Sequence, residues 1–240
     1  MTTDFSQIKF DSYFHRYSYQ GRSLNNVTGY LKQFQKPFDR DGVAKRVAER
    51  DGRKVAEVLA EWDLSGERAR VLGVAVHQHI RNTLCAVEGQ FSFEPFLSMN
   101  VKAPEVITFD RLWAELANAV ICHPEQVEWV IGDVELGIAG TVDAFLFSQA
   151  TGQYHIWDWK TGKFDVENRF ERLLPPFDDL SASKLNIYSL QVSLYRLIIE
   201  RNTSFKTGDS YIVHLGQEGH SVHRALDLRE KLLDCLVIPF

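Results

Sequence analysis

The sequence predicts an α/β fold, a mixed central β-sheet flanked by helices. Three apolar runs follow one another near 127–133, 136–147 and 153–160, each short enough for a strand and bounded by polar turn residues. Stretches of helical periodicity precede and follow them, and two further strand-like runs lie near 209–215 and 220–226. Helices, then a strand meander, then a helix and more strands place helices on the faces of one sheet.

Residues 1–40 read as irregular, with a short helix near 27–34. A helix is expected over 43–61, with Val43, Val47, Val55, Val58 and Leu59 apolar. Ser65-Gly66-Glu67 precedes a second helix to about Val87, striped by Leu72, Val76, Ile80, Thr83 and Val87. Pro95 and Pro104 bound an irregular stretch, and Thr108 is the N-cap candidate for a helix to about Cys122. The three strands follow, with Ser148–Gln153 as a hairpin turn. Pro175-Pro176 marks a loop. Ser183 caps a helix to about Arg201, whose apolar stripe is Leu190, Leu194, Leu197 and Ile198, and a last helix starts near Leu228.

The chemistry concentrates in the second and third runs. Gly140-Thr141-Val142-Asp143 puts an acid at the end of one, and Asp158-Trp159-Lys160 follows fifteen residues after it in the next. Side chains alternate along a strand, so Asp158 and Lys160 share a face while Trp157 and Trp159 point into packing. Antiparallel pairing of the two runs would bring Asp143 beside Asp158. Two carboxylates and an ammonium at one place are costly unless a divalent cation compensates, and Mg²⁺ takes one or two carboxylates with phosphate oxygens. Lys160 would then orient or deprotonate a water, or neutralise charge on phosphate. As a base it would need a pKa below the usual value of about 10.4. The competing reading is a surface hairpin with scattered charges. Upstream, His77 lies beside the apolar stripe one turn after Gly73, where a glycine would permit close approach of the helix to another backbone. His79 is equally placed on the helical wheel. Gln191 and Tyr195 are four apart, on one helix face.

Together these residues resemble the PD-(D/E)XK nuclease superfamily. Gly140–Asp143 is similar to its first acidic motif and Asp158-Trp159-Lys160 to its acid-x-lysine motif. Gly73-Val74-Ala75-Val76-His77 and Gln191-Val192-Ser193-Leu194-Tyr195 resemble the Gly-x-x-x-His and Gln-x-x-x-Tyr helices of the RecB-like branch. More loosely, residues 26–62 resemble the front of phage and mitochondrial genome-maintenance exonucleases. The resemblance implies a restriction-endonuclease-like αβββαβ core over 66–240, with 1–65 an N-terminal helical elaboration forming a substrate-channel wall. It implies a Mg²⁺- or Mn²⁺-dependent DNA nuclease, an exonuclease on single-stranded ends. His77 is selected over His79, and Asp143, Asp158, the Trp159 carbonyl and His77 become metal ligands. Lys160 becomes the water-activating group, with Gln191 and Tyr195 contacting substrate. Glu128 and Glu135 are strand-adjacent acids, with Glu128 at most behind the ligands. Competing classes are a structure-specific or CRISPR-adaptation-like endonuclease, and a catalytically silent nucleic-acid-binding or interaction protein of the same fold. The intact Asp143, Asp158 and Lys160 weigh against the silent class.

Composition bounds these readings. The chain has 240 residues and a net charge of −5, which argues against a general nucleic-acid binder. From Lys32 to Lys54, however, eight basic against four acidic residues leave +4, with Tyr30, Phe34 and Phe38 interleaved. Charge that tracks phosphate and rings that stack on bases suit a single-strand groove, so Lys36, Arg40 and Arg46 are candidate substrate contacts. Lys163, with Arg169 and Arg172, supplies a second basic rim. Cys85, Cys122 and Cys235 are isolated, so no zinc site and no iron–sulfur cluster is expected. No apolar run of about 18 residues occurs and no basic segment leads into an apolar one at the N-terminus. A cytoplasmic protein is therefore expected, in the host cytoplasm if the source is viral. No P-loop occurs, so ATP-driven unwinding would need a partner helicase or recombination protein.

Overall fold

The computed structural model describes residues 2–85 and 103–236. Its elements are β1 (Ile8–Asp11), β2 (Arg16–Tyr19), β3 (Arg22–Asn26), α1 (Val27–Leu31), α2 (Arg40–Asp51), α3 (Val55–Leu84) and α4 (Pro104–Leu116). Then come β4 (Val120–Ile121), β5 (Val127–Asp133), β6 (Ile138–Ser148), β7 (Gln153–Thr161), α5 (Lys184–Asn202), β8 (Thr207–Leu215), β9 (His220–Arg224) and α6 (Arg229–Cys235). The strands form one mixed sheet in the order β1-β2-β3-β6-β7-β8-β9, with β4 and β5 also on β6. Antiparallel pairs alternate with two parallel ones, β3 with β6 and β7 with β8. The chain is thus mixed α/β, with helices on both faces of the sheet.

Alternation along β7 sorts the two cores. Ile156 packs on one face with α1, α5 and α6, through Val27, Leu31, Leu190, Leu194 and Leu232. Trp157 and Trp159 pack on the other with α3 and α4, through Val76, Ile80, Leu84 and Phe109. The stripe of α5 is buried; of the α3 stripe, Val76 and Ile80 are buried, Leu72 and Thr83 half-buried, and Val87 lies outside the described residues. Ser183 caps α5 as expected, its hydroxyl accepting from Asn186 N at 3.2 Å.

Several expectations are corrected. Residues 8–26 are three strands rather than irregular chain, so the N-terminal segment is not purely helical. The expected helix over 43–61 is two. Asp39 caps α2, and Gly52 ends it in the left-handed conformation at φ 62° that glycine adopts without strain. Ser65-Gly66 does not start a helix; it lies inside α3, and so does the boundary drawn at residue 65. A mid-helix glycine costs about 1 kcal/mol, too little to break a helix anchored at both ends. The Glu67–Arg70 pair at 2.6 Å helps hold this turn. Pro104 rather than Thr108 opens α4, since proline suits the first helical position. Thr108 is buried in that helix, and its hydroxyl donates to the Gly216 carbonyl at 3.1 Å. The same helix stops at Leu116, short of Cys122, and β4 follows. Pro95 lies outside the described residues.

Helix α2 packs on the first half of α3 through Ala44, Ala48 and Val58. From Val58 to His77 are 19 residues of helix, about 28 Å at 1.5 Å per residue. The basic segment therefore sits on an arm away from His77. Three of its eight cations are paired there: Arg40 with Asp63, Arg50 with Asp51 and Arg53 with Glu61. Phe34 is buried against Phe177, with ring centroids 4.9 Å apart, and cannot stack on a base without leaving the core. Phe38, Lys36 and Arg46 remain exposed.

Candidate metal centre

The site forms where β6 and β7 part. Their antiparallel ladder runs from Ser148↔Gln153 to Ala144↔Trp157 and ends there. The next residues on the two strands are Asp143 and Asp158. Instead of a ladder bond, Trp159 N donates to Asp143 Oδ2 at 2.8 Å. The opening is wedged on the β5 side, too. Glu128 has φ 50°, a strained left-handed conformation for a residue with a Cβ. Val127 and Trp129 on either side of it consequently pack into opposite cores.

Three side chains converge at this point. Ligand atoms of His77, Glu128 and Asp143 all lie within 4.8 Å of one another, an arrangement able to hold a metal ion. His77 Nδ1 is 3.4 Å from Glu128 Oε1 and 3.8 Å from Asp143 Oδ1. Its Nε2 is 3.1 Å from the Trp159 carbonyl. A carbonyl only accepts, so Nε2 is the donor and Nδ1 faces the carboxylates. The Trp159 carbonyl, expected as a ligand, accepts this bond and orients His77, as outer partners commonly do for ligand histidines. His79 points elsewhere, its Nε2 2.6 Å from Asp110 Oδ1 on α4.

Asp158 and Lys160 lie together as alternation requires, with Lys160 Nζ 2.6 Å from Asp158 Oδ2. Asp158 is only 1 % exposed, and the Lys160 ammonium is the cation that meets its Oδ2. A buried carboxylate needs such a partner. Gln191 Nε2 donates to Asp158 Oδ1 at 3.4 Å and to the Tyr195 hydroxyl at 3.1 Å. Tyr195 is buried and Gln191 half-buried, so the pair braces the Asp158 carboxylate. Gly140 makes room for it: a Cβ there would fall 2.5 Å from Tyr195 Cε1. Gly73 has no such duty, since a Cβ would meet only Thr161 Oγ1 at 3.6 Å. The expected close approach at Gly73 is not what the glycine provides.

Charges at the site are strongly coupled. Burial pushes Asp158 up to about 6, against the pull of Lys160 and with the help of Asp143. Burial likewise raises Asp143, with His77 and Lys160 opposing it. Burial disfavours charge on His77, but Asp143 and Glu128 outweigh it and lift the ring to about 9. Burial also acts against the Lys160 ammonium, yet Asp158 and Asp143 raise it to about 12. In this state Lys160 is a cation that donates, not a base. Three carboxylates against two cations leave the recess one negative charge in excess; a divalent ion that displaces the His77 proton would bring the sum to zero.

Other expected contacts stand apart from this cluster or outside it. Lys36 lines a surface concavity with Arg169, Phe170 and Arg172. Lys163 is exposed in the loop after β7, beside Phe164, whose ring stacks on His214 at 5.1 Å. Sequence reasoning passed over Tyr188 and Tyr17. The Tyr188 ring lies 4.7 Å beneath Lys160 Nζ, one helical turn before Gln191, a spacing that could have marked it. The Tyr17 hydroxyl is 2.9 Å from Thr141 Oγ1.

His77→Ala is expected to weaken Mn²⁺ binding at least tenfold in calorimetry, whereas His79→Ala should leave it within about twofold, because imidazole favours transition metals. The reverse ranking would remove His77 from the metal centre.

No protein-family model matches this chain, and no curated protein matches it.

Proposed function

We propose that this protein is a divalent-metal-dependent nuclease of the PD-(D/E)XK superfamily, RecB-like branch, with the restriction-endonuclease-like core. It hydrolyses phosphodiester bonds of DNA, as an exonuclease on single-stranded ends. One observation carries the proposal: His77, Glu128 and Asp143 bring ligand atoms within 4.8 Å of one another at the parting of β6 and β7, where Asp158, paired with Lys160, is the next residue of β7. The residues fit a metal. An imidazole and carboxylates suit Mn²⁺ and, with more oxygen ligands, Mg²⁺.

His77, Asp143, Glu128 and Asp158 would hold the ion. When bound, it would supply positive charge against the phosphate and favour ionisation of the attacking water. The chain's own groups do the rest. Trp159 fixes the His77 tautomer through its carbonyl and the Asp143 carboxylate through its N–H. Gln191, backed by Tyr195, holds the Asp158 carboxylate. Lys160, kept cationic by Asp158, places an ammonium where it can position the water and balance charge forming on the phosphate. Asp158 is nearly inaccessible and Lys160 lies on Tyr188, so the phosphate must be brought into a recess. An unpaired strand bends into such a recess more readily than a duplex, whose opening costs about 1.4 kcal/mol per step of stacking.

End-labelled linear single strands should be digested in Mn²⁺, with circular single strands and blunt duplex largely spared at equal concentration. Comparable cutting of circles would make the protein an endonuclease with an open cleft.

A further inference from the structure

We propose that the β1–β2 hairpin is a base-stacking finger that grips an unpaired nucleic-acid strand beside the metal centre. The inference rests on the nucleolytic reading above and names the form of substrate. Five aromatic side chains fall within eight residues here: Phe10, Tyr13, Phe14, His15 and Tyr17. Exposure rises along the finger, from 3 % at Tyr17 through 36 % at Phe10 and 59 % at Phe14 to 87 % at Tyr13. Exposed rings gathered in one place, unlike single ones, mark an interaction surface.

The base of the finger is docked on the site. Tyr17 packs with Ile8, Leu24 and Ala139. Its hydroxyl meets Thr141, two residues before Asp143. Burial raises its phenol above the usual range; the Thr141 bond opposes this, and the Glu128 and Asp143 carboxylates add to it. Four residues of extended chain separate Tyr17 from Tyr13, at most about 14 Å.

The finger is also preformed. Phe10 faces Tyr17 across the strand pair and stacks on it, centroids 4.7 Å apart and planes 25° apart. Asp11 Oδ1 accepts from the backbone N–H of Tyr13 and of Phe14, each at 3.0 Å, fixing the turn. Tyr13 and Phe14 meet edge to face at 4.8 Å. The Arg16 guanidinium lies 5.3 Å from the Phe14 ring centroid.

Charge points to the occupant. Between Ile8 and Leu24 stand Lys9, Arg16 and Arg22 against Asp11 alone, a local excess of +2 in a chain of net −5. Rings beside cations, next to a centre that would take a phosphate, match a single strand: bases stack on the rings and phosphates meet the cations. Paired bases do not offer their faces, so the finger selects unpaired nucleotides.

The test is the anisotropy of a fluorescein-labelled oligothymidylate, measured in EDTA so that binding is read without cleavage. The probe is compared with an abasic strand of equal length. Tyr13→Ala/Phe14→Ala changes only exposed tip residues, and an unchanged melting temperature verifies its fold. It should bind oligothymidylate about tenfold more weakly or worse, while its binding of the abasic strand stays within about twofold; Tyr13→Trp should bind like the original. Unchanged oligothymidylate binding overturns the proposal. So does an equal loss on both strands. So does a loss of self-association in sedimentation with strand binding intact, which would make the finger a protein interface. The two readings fail separately. A protein that cuts DNA, with a double variant that binds normally, removes the finger alone. A protein that cuts nothing but needs these rings for the base-bearing strand removes only the nuclease.

Discussion

Asp158→Asn is expected to lower strand cleavage by a factor of at least ~10²–10³ while leaving the fold in place. The side chain keeps its shape and its Gln191 contact but loses the charge that faces Lys160 and the metal centre. A metal ligand or charge-stabilising group is worth several kcal/mol in the transition state, and each 1.36 kcal/mol is about tenfold in rate. Asp158→Ala should be as inactive but less stable, because it leaves the Lys160 ammonium nearly buried without its partner. Lys160→Ala should abolish cleavage without weakening metal binding, since it removes a cation from beside the ligands. Single-turnover rates and near-ultraviolet dichroism on the same samples separate chemistry from folding. A folded Asp158→Asn protein that keeps most of its activity would place the chemistry elsewhere.

Asp133→Ala is expected to cost about 3–5 kcal/mol of stability, on the order of 10 °C in melting temperature for a chain of this size. Asp133 ties four partners at the end of β5. Its Oδ2 accepts from Arg201 at 2.8 Å and Asn202 at 3.1 Å, and its Oδ1 from the N–H groups of Glu135 and Leu136 at 3.0 Å. Asn202 in turn accepts from Thr3 N at 2.7 Å, so the N-terminus hangs on the same knot. Burial alone would raise the Asp133 pKa, but Arg201, the Leu136 N–H and Asn202 bring it below its ordinary value. A carboxyl depressed in the folded state stabilises fully above its unfolded value of about 3.9 and loses that contribution as pH falls through the folded value. The original should therefore lose its advantage over Asp133→Ala in melts taken below about pH 4. An advantage that instead grew on acidification would contradict the knot.

The two strands of the candidate site were legible because their signal is local. Alternation in Ile156–Lys160 fixes which side chains enter packing, and the polar turn from Ser148 to Gln153 fixes the hairpin that carries Asp158 back towards Asp143. The face of α5 bearing Gln191 and Tyr195 was equally plain. Glu128 was not, since its place depends on a left-handed backbone that no residue type at that position announces. The N-terminal strands were missed although one cue was present. Tyr17 and Tyr19 alternate with polar residues ahead of Gln20-Gly21, and both turn residues take positive φ. The charge of the arm was legible in composition, but composition does not say that Asp63 and Glu61, one helix later, return to pair with Arg40 and Arg53. Ser65-Gly66 looked like a helix start because propensity is local, whereas α3 is held by packing at its two ends.

The most direct test is to incubate the original protein with an end-labelled linear single strand, first with EDTA, then with Mg²⁺ or Mn²⁺ restored in excess. Cleavage absent in EDTA and recovered with either ion, Mn²⁺ at the lower concentration, is the predicted result. Cleavage undiminished in EDTA, or none with either ion from a folded protein, would contradict it.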